Sequence, residues 1–259
     1  MEIIVLIKQV PATELILSIA EDGKNVKKED VKWVLNPYDE FAVEEALRIQ
    51  KTEGGTVTLV SVGPDKAQEA IRHGLAMGAD KGVLVNDPKA LDCDGLATAK
   101  VLASVIDSLP YDLIIAGQRA VDDDNYLVGT AVAEFLDIPN ISLVIKQEIS
   151  DNKIKCHRTI EGGTVVIESP LPVLLTTQRG LNEPRYTSMP GIMKAKKKKI
   201  EIKSLDDLDI DDSSLAPKTK ILSMEYPPER QGGRLIEGDS PESAVAELVK
   251  VLREEAKVI

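Results

Sequence analysis

Short apolar runs alternate with amphipathic segments throughout residues 1–140, and no other feature constrains the fold as much. Residues 3–7 (Ile-Ile-Val-Leu-Ile) are unbroken apolar, as a parallel strand buried on both faces requires. Residues 56–62 (TVTLVSV), 82–85 and 112–116 (DLIIA) supply three more strands. Helical spacing fills the gaps, in 36–55, 65–78, 94–107 and 126–136. In the first of these, Asn36 suits an N-cap, Pro37 the first helical position, and Asp39 and Glu40 the positive end of the dipole. Ala42, Val43, Ala46 and Leu47 form its apolar stripe, and Gly54 and Gly55 end it. This spacing implies right-handed βαβ crossovers. The expected fold is α/β: a Rossmann-like, doubly wound, mostly parallel sheet covered on both faces.

The texture then changes. Residues 141–177 carry period-two segments broken by turn signals at 150–153 and at Gly162 and Gly163, so an antiparallel portion is expected there. Residues 171–176 (LPVLLT) form a further buried strand. A stretch rich in Pro, Arg and Lys covers 178–199, and 201–239 is polar without strong periodicity. A final amphipathic helix spans 241–256. The reading divides the chain into an α/β nucleotide-binding domain, 1–204, and a C-terminal arm, 205–259. Such an arm has little core of its own. Its terminal helix docks either on another subunit or on its own domain.

A chain of 259 residues can bury a sizeable core. It holds 32 Lys and Arg against 43 Asp and Glu, a net charge of −11, which argues against a nucleic-acid footprint. Aromatic residues make up 3%, so stacking platforms are scarce. No apolar run approaches the ~20 residues that span a bilayer. Residues 1–8 read as a strand, not a signal peptide. Cys93 and Cys156 lie far apart with no CxxC, which suits two reduced thiols in a cytoplasmic protein and leaves no zinc motif. His73 and His157 have no metal-ligand spacing and no GxSxG nucleophile to serve. GxxxxGK[ST] and GxGxxG are absent. A conventional hydrolase, kinase or nicotinamide dehydrogenase therefore has little support.

In doubly wound sheets, ligands bind beyond the carboxyl ends of the strands, at a topological switch point. The turns there hold Lys8 to Pro11, Val62 to Asp65, and Gly117 and Gln118 through Asn125, while Asn36 to Asp39 opens a helix near the same edge. Three of these turns lead into helices, whose free N–H groups attract phosphate. The pattern fits a mononucleotide site without a Walker loop, and it also fits ordinary turn chemistry. Asp122, Asp123 and Asp124 suit a divalent-metal cluster, a general-acid pair or a solvated loop. They would repel a phosphate. A nucleotide would therefore turn its ribose or base to them and its phosphate to the backbone around Gly129 and Thr130. The basic run from Lys194 to Lys199 reads as a solvated face or as a surface steering an acidic protein partner.

Leu181, Asn182, Glu183, Pro184, Arg185 and Tyr186, followed by the string from Ile192 to Lys198, closely resemble the signature of electron transfer flavoprotein beta subunits. Lys8-Gln9-Val10, Asn36 to Glu40, Gly74 to Asp80 and Glu161-Gly162-Gly163 resemble that family too, so the likeness covers nearly the whole chain. The resemblance implies a fold like that of the adenine-nucleotide alpha hydrolases. It implies a heterodimer with an alpha subunit that holds most of an FAD. Electrons then pass from flavin dehydrogenases, typically of the acyl-CoA type, to a quinone reductase or another acceptor.

The beta subunit would carry AMP on Ile7, Asn36, Pro37, Tyr38, Asp39, Val62, Gly117, Gln118, Asp122, Asp123, Asp124, Asn125, Gly129 and Thr130. Residues 178–190 would dock the dehydrogenase, with Leu181 as the apolar anchor. Tyr38 would approach the flavin, and the C-terminal helix would lie on the alpha subunit. No catalytic residue and no metal is implied, nor any insertion into a membrane. One departure is Leu127-Val128-Gly129, where the family carries Gln-Thr-Gly or similar. Valine before glycine resembles the electron-bifurcating branch, in which a second FAD replaces AMP. Asp123 and the intact 181–186 motif favour AMP. A reading from another class is an adenylate-dependent enzyme or ATP sensor on the same fold, but it needs a phosphate loop this chain lacks.

Overall fold

The computed structural model describes residues 1–91, 93–229 and 232–259. They divide into two compact units, Met1–Leu222 and Ser223–Ile259. The first unit opens with β1 (Glu2–Leu6), β2 (Gln9–Pro11), β3 (Trp33–Leu35) and α1 (Pro37–Glu53). Strand and helix then alternate through β4 (Thr56–Val62), α2 (Gln68–Met77), β5 (Lys81–Val85), a short α3 (Pro88–Leu91), α4 (Gly95–Asp107), β6 (Leu113–Gly117) and α5 (Val128–Phe135). Three long strands follow: β7 (Asn140–Ser150), β8 (Lys153–Ile160) and β9 (Gly163–Pro170). Then come β10 (Val173–Thr177), α6 (Met189–Lys197) and β11 (Ile200–Lys203).

Nine strands form one sheet in the order β11-β5-β4-β1-β6-β10-β7-β8-β9. Every neighbour from β11 to β7 runs parallel. β8 and β9 extend the sheet antiparallel, as expected for 141–177. The tight β7–β8 turn places Asp151 and Asn152 at φ 50° and 58°, a conformation these residue types tolerate. β1 lies between β4 and β6, and the winding direction reverses there.

Unbroken apolar strands are explained by two cores. Ile3 and Val5 of β1 join α1 and α2 on one face, while Ile4 and Leu6 join α4 and α5 on the other. β6 repeats this with Leu113 and Ile115 against Ile114 and Ala116. All of these but Leu6 and Ala116 are 1% exposed or less.

Two elements escape sequence periodicity. β2 and β3 pair antiparallel as a separate two-stranded sheet, each only three residues long. β11, Ile-Glu-Ile-Lys, pairs parallel with β5 at the sheet edge, within residues that had shown no periodicity beyond 201. Runs of three or four residues are too short for a period to register.

The first unit continues past residue 204. Leu205, Leu208 and Leu215 bury themselves in the α4–α5 core. Asp87 accepts a hydrogen bond from the Leu205 amide (3.2 Å), and Asp94 from the Lys218 (2.6 Å) and Thr219 (3.0 Å) amides. The second unit holds α7 (Pro241–Glu254), which starts with a reciprocal Ser240–Ser243 capping box and Pro241. None of its residues is buried.

The α1–β4 turn depends on two glycines. Gly54 sits at φ 71°, ψ −174°, a region that excludes side chains, and Gly55 at φ 102°. A Cβ on Gly55 would also collide with the Met1 backbone. Gly54→Ala is expected to cost about 1–3 kcal/mol in urea unfolding. Gly55→Ala is expected to cost more, because backbone must move as well as strain.

Candidate functional site

The carboxyl ends of β1 and β6 flank the switch point, and a buried carboxylate joins them. Asp39, 5% exposed, lies in the first turn of α1. It accepts hydrogen bonds from the Lys8 amide (2.7 Å), the Asn36 Nδ2 (2.9 Å) and the Gly117 amide. Those donors come from the turn after β1, the α1 entry and the end of β6. Gly117 has no side chain because a Cβ there would run into Asp39 Oδ1 and the Tyr38 backbone. Burial pushes the Asp39 carboxyl up to about 7, against the pull of its three donors.

Asn36 occupies the helix N-cap position, yet its side chain caps nothing. Its Nδ2 donates to Asp39 and to the Arg119 carbonyl (2.9 Å), and its Oδ1 accepts from the Val121 amide (3.2 Å). It therefore welds α1 to the loop after β6. The capping role read from its sequence position gives way to this longer-range one. Pro37 opens the helix as expected. Thr177, at the end of β10, is buried with its hydroxyl 3.1 Å from the Tyr38 carbonyl and 3.3 Å from that of Ala116.

The acidic loop is sharply folded. Asp124 and Tyr126 have φ of 50° and 56°, and for an aromatic residue that is strained backbone. Asn125 holds the turn: its Nδ2 donates to Asp123 (3.1 Å) and its Oδ1 accepts from the Leu127 amide (3.0 Å). The three aspartates do not converge. Asp122 and Asp123 pair with the Lys8 ammonium (2.8 and 3.1 Å), while Asp124 pairs with Arg119 (2.9 Å). Burial works against the Lys8 charge, but the two aspartates outweigh it and raise its pKa. Among the described residues no cluster of three or more His, Cys, Asp or Glu is placed to hold a metal ion. The Arg119 guanidinium lies 5.0 Å above the Tyr38 ring and 5.5 Å from that of Tyr126, and donates to the Tyr38 hydroxyl (2.9 Å).

Ile7 and Val62 follow β1 and end β4 on the same edge. Gln118 is 9% exposed, and its Oε1 has no partner among the described residues. Gly129 and Thr130 lie in the first turn of α5, whose leading amides have no intrahelical acceptor. Gly129 packs α5 against the sheet, since a Cβ there would sit 3.2 Å from Thr176 and 3.4 Å from Ala116. Thr130 is exposed.

The segment after β10 is a second cluster, set against the middle of α1. Asn182 is buried and donates to the Phe41 carbonyl (3.0 Å) and to Glu45 (2.8 Å). Arg185 meets Glu44 three times: by its amide (3.2 Å), Nε (2.7 Å) and second guanidinium nitrogen (3.1 Å). Leu181 is partly buried against the α1–α2 core, while Tyr186 is wholly exposed.

The sequence placed Lys8 and Arg119 in candidate turns without giving either a role, and it did not single out Glu44 or Glu45. A signal for the glutamates exists: they sit between Ala42-Val43 and Ala46-Leu47, so the apolar stripe carries two acids into its own flank. Cys93 and Cys156 form no disulfide; burial, with Glu45 nearby, pushes the Cys156 thiol up to about 12. Among the described residues no helix is long and apolar enough to cross a membrane.

Asp39 has a pH signature. Its ordinary pKa of 3.8 rises to about 7 on folding, so between those values the folded chain keeps a proton that the unfolded chain has lost. This group's contribution to stability falls as pH rises through that window and is flat outside it, with a slope of at most about 1.4 kcal/mol per pH unit. Subtracting the unfolding free energies of Asp39→Asn from those of the parent, pH by pH, is expected to recover that slope.

The match to known proteins is extensive. A family model described as "Electron transfer flavoprotein domain" matches residues 24–208. An electron transfer flavoprotein subunit beta from Bacillus subtilis is 43% identical over 260 residues, covering all of both chains. The subunit of the same name from Thermoanaerobacterium thermosaccharolyticum is 41% identical, covering 97% of this chain and 98% of that one. The one from Homo sapiens is 38% identical, covering 98% of each. With its sheet, its switch point between β4 and β6 and this end-to-end likeness, the chain belongs to the electron transfer flavoprotein beta-subunit family.

Proposed function

We propose that this chain is the beta half of a cytoplasmic heterodimer that carries electrons from flavin dehydrogenases of the acyl-CoA type to a quinone reductase or similar acceptor. It performs no bond chemistry of its own. The redox chemistry belongs to an FAD shared with the alpha subunit. The observation that carries this reading is the gathering of Lys8, Asn36, Asp39 and the 119–125 loop at the β1–β6 switch point, in a chain of this family.

The crevice residues suit an adenylate. Gln118 presents a buried acceptor without a partner among the described residues, as an amino or hydroxyl group would require. Asp122, Asp123 and Asn125 supply acceptors for ribose hydroxyls. The first-turn amides of α5, near Gly129 and Thr130, suit a phosphate. Ile7, Val62 and the Asn36–Asp39 entry would wall the base. AMP is the ligand proposed, held as part of the scaffold. The loop around Asp124 and Tyr126 is already bent and braced, which reduces the ordering cost of binding.

The segment from Leu181 to Tyr186 is the proposed dehydrogenase dock, with the exposed part of Leu181 as anchor. A small apolar anchor ringed by polar contacts suits transient redox encounters, which need specificity with fast release. α7, amphipathic and without a buried residue in its own unit, is proposed to lie on the alpha subunit.

Two measurements test this. Denaturing the purified heterodimer is expected to release about one AMP and one FAD, the one-to-one ratio of a single site per chain. Two FAD and no AMP would show the bifurcating form, and ATP hydrolysis by the isolated chain would show an adenylate enzyme. Leu181→Ala is expected to slow electron transfer from several dehydrogenases by about tenfold, one hot-spot side chain's worth, with flavin content unchanged. Unaltered transfer would remove the docking role.

A further inference from the structure

Two carboxylates on α1 are buried away from the crevice and have no part in it. Glu44 has a side chain 5% exposed, and Glu45 is likewise buried. Ionised acids are rarely enclosed unless their acceptor sites are filled. Here they are filled, and four of the six donors come from the 182–185 segment. Glu44 takes four donors: the Arg48 Nε (3.0 Å), and the amide, Nε and second guanidinium nitrogen of Arg185. Four is about the capacity of a carboxylate. Glu45 takes Gln147 Nε2 from β7 (2.8 Å) on one oxygen and Asn182 Nδ2 on the other.

Burial alone would raise the Glu44 pKa, but Arg185 and Arg48 outweigh it and hold it below the ordinary value. The carboxyl is charged at neutral pH. The Arg185 contact is a planar fork on a carboxylate, with a main-chain bond added, so it orients backbone as well as side chain. The next residue, Tyr186, is 100% exposed. Pro184 stiffens the chain just before the clamp. A short segment is thus fixed at Asn182 and Arg185, while the aromatic ring beside the clamp is fully exposed.

We infer that Glu44 and Glu45 are positioning residues: by clamping Arg185 and Asn182 from α1, they hold the Leu181–Tyr186 segment in the conformation that a flavin dehydrogenase recognises. The inference rests on the docking role proposed above for that segment. Its physical content is preorganisation. A loop already ordered before the encounter loses less conformational freedom on binding. The effect belongs to partner affinity, not to the flavin or to the electron-transfer step.

The test uses the purified alpha–beta heterodimer and an acyl-CoA dehydrogenase as electron donor. Glu44→Gln keeps the shape but replaces the ion pair, setting an amide donor against Arg185. It is expected to raise KM for the heterodimer about tenfold while kcat stays within about twofold, since only encounter affinity is lost. Flavin content should be unchanged. Arg185→Lys, which keeps the charge without the fork, is expected to fall between the two. If Glu44→Gln does not accumulate, Glu45→Gln reads the same quantity through Asn182. A KM unmoved by the glutamate variants, while Leu181→Ala raises it, would overturn the inference and leave the docking segment standing. Loss of flavin or of kcat without a change in KM would show a merely structural role and overturn it as well. A KM unmoved by Leu181→Ala would remove the docking reading itself, and the inference with it.

Discussion

The Asp39 carboxylate, with its three N–H donors, is the interaction on which the rest of the crevice depends. It ties the end of β1, the entry to α1 and the end of β6 at a single point. These are the elements between which a doubly wound sheet opens. Each donor favours the ionised carboxylate, while burial opposes it, and the two effects leave the group near neutrality. Gly117 follows from this arrangement: the carboxylate occupies the place its side chain would need. Asn36 extends the knot to Arg119 and Val121, and thereby fixes where the acidic loop begins.

Charge around the crevice is arranged in pairs. Lys8 meets two aspartates, and Arg119 meets the third while lying over two tyrosine rings. Exposed pairs of this sort contribute little to stability, on the order of 0–1 kcal/mol each. Their effect is on geometry: they keep three like charges apart and hold a loop whose backbone is strained at Asp124 and Tyr126.

Much of the fold was legible in the residues alone. The strand of 56–62 agrees at both ends, and those of 3–7, 82–85 and 112–116 agree to within a residue, because parallel strands covered on both faces read as apolar runs. The turns at Asn152 and Gly162 were equally plain. Less legible were features settled by contacts distant in sequence. β11 is a strand because β5 offers it a free edge. Leu205, Leu208 and Leu215 stand isolated in a polar stretch, yet they find the α4–α5 surface. Asn36 looks like a cap, but its side chain serves a loop more than eighty residues away. The 181–186 motif stood out as a string, whereas the reason for its Asn and Arg lies in Glu45 and Glu44.

α1 serves both places at once. Asn36, Tyr38 and Asp39 at its start belong to the crevice, and Glu44 and Glu45, one to two turns on, grip the segment after β10. A helix advances 1.5 Å and turns about 100° per residue. A single residue inserted or deleted between Asp39 and Glu44 would swing the two glutamates off their partners by that angle, whatever its identity. This stretch of chain therefore behaves as a gauge of fixed length. Its letters can drift, but its count cannot.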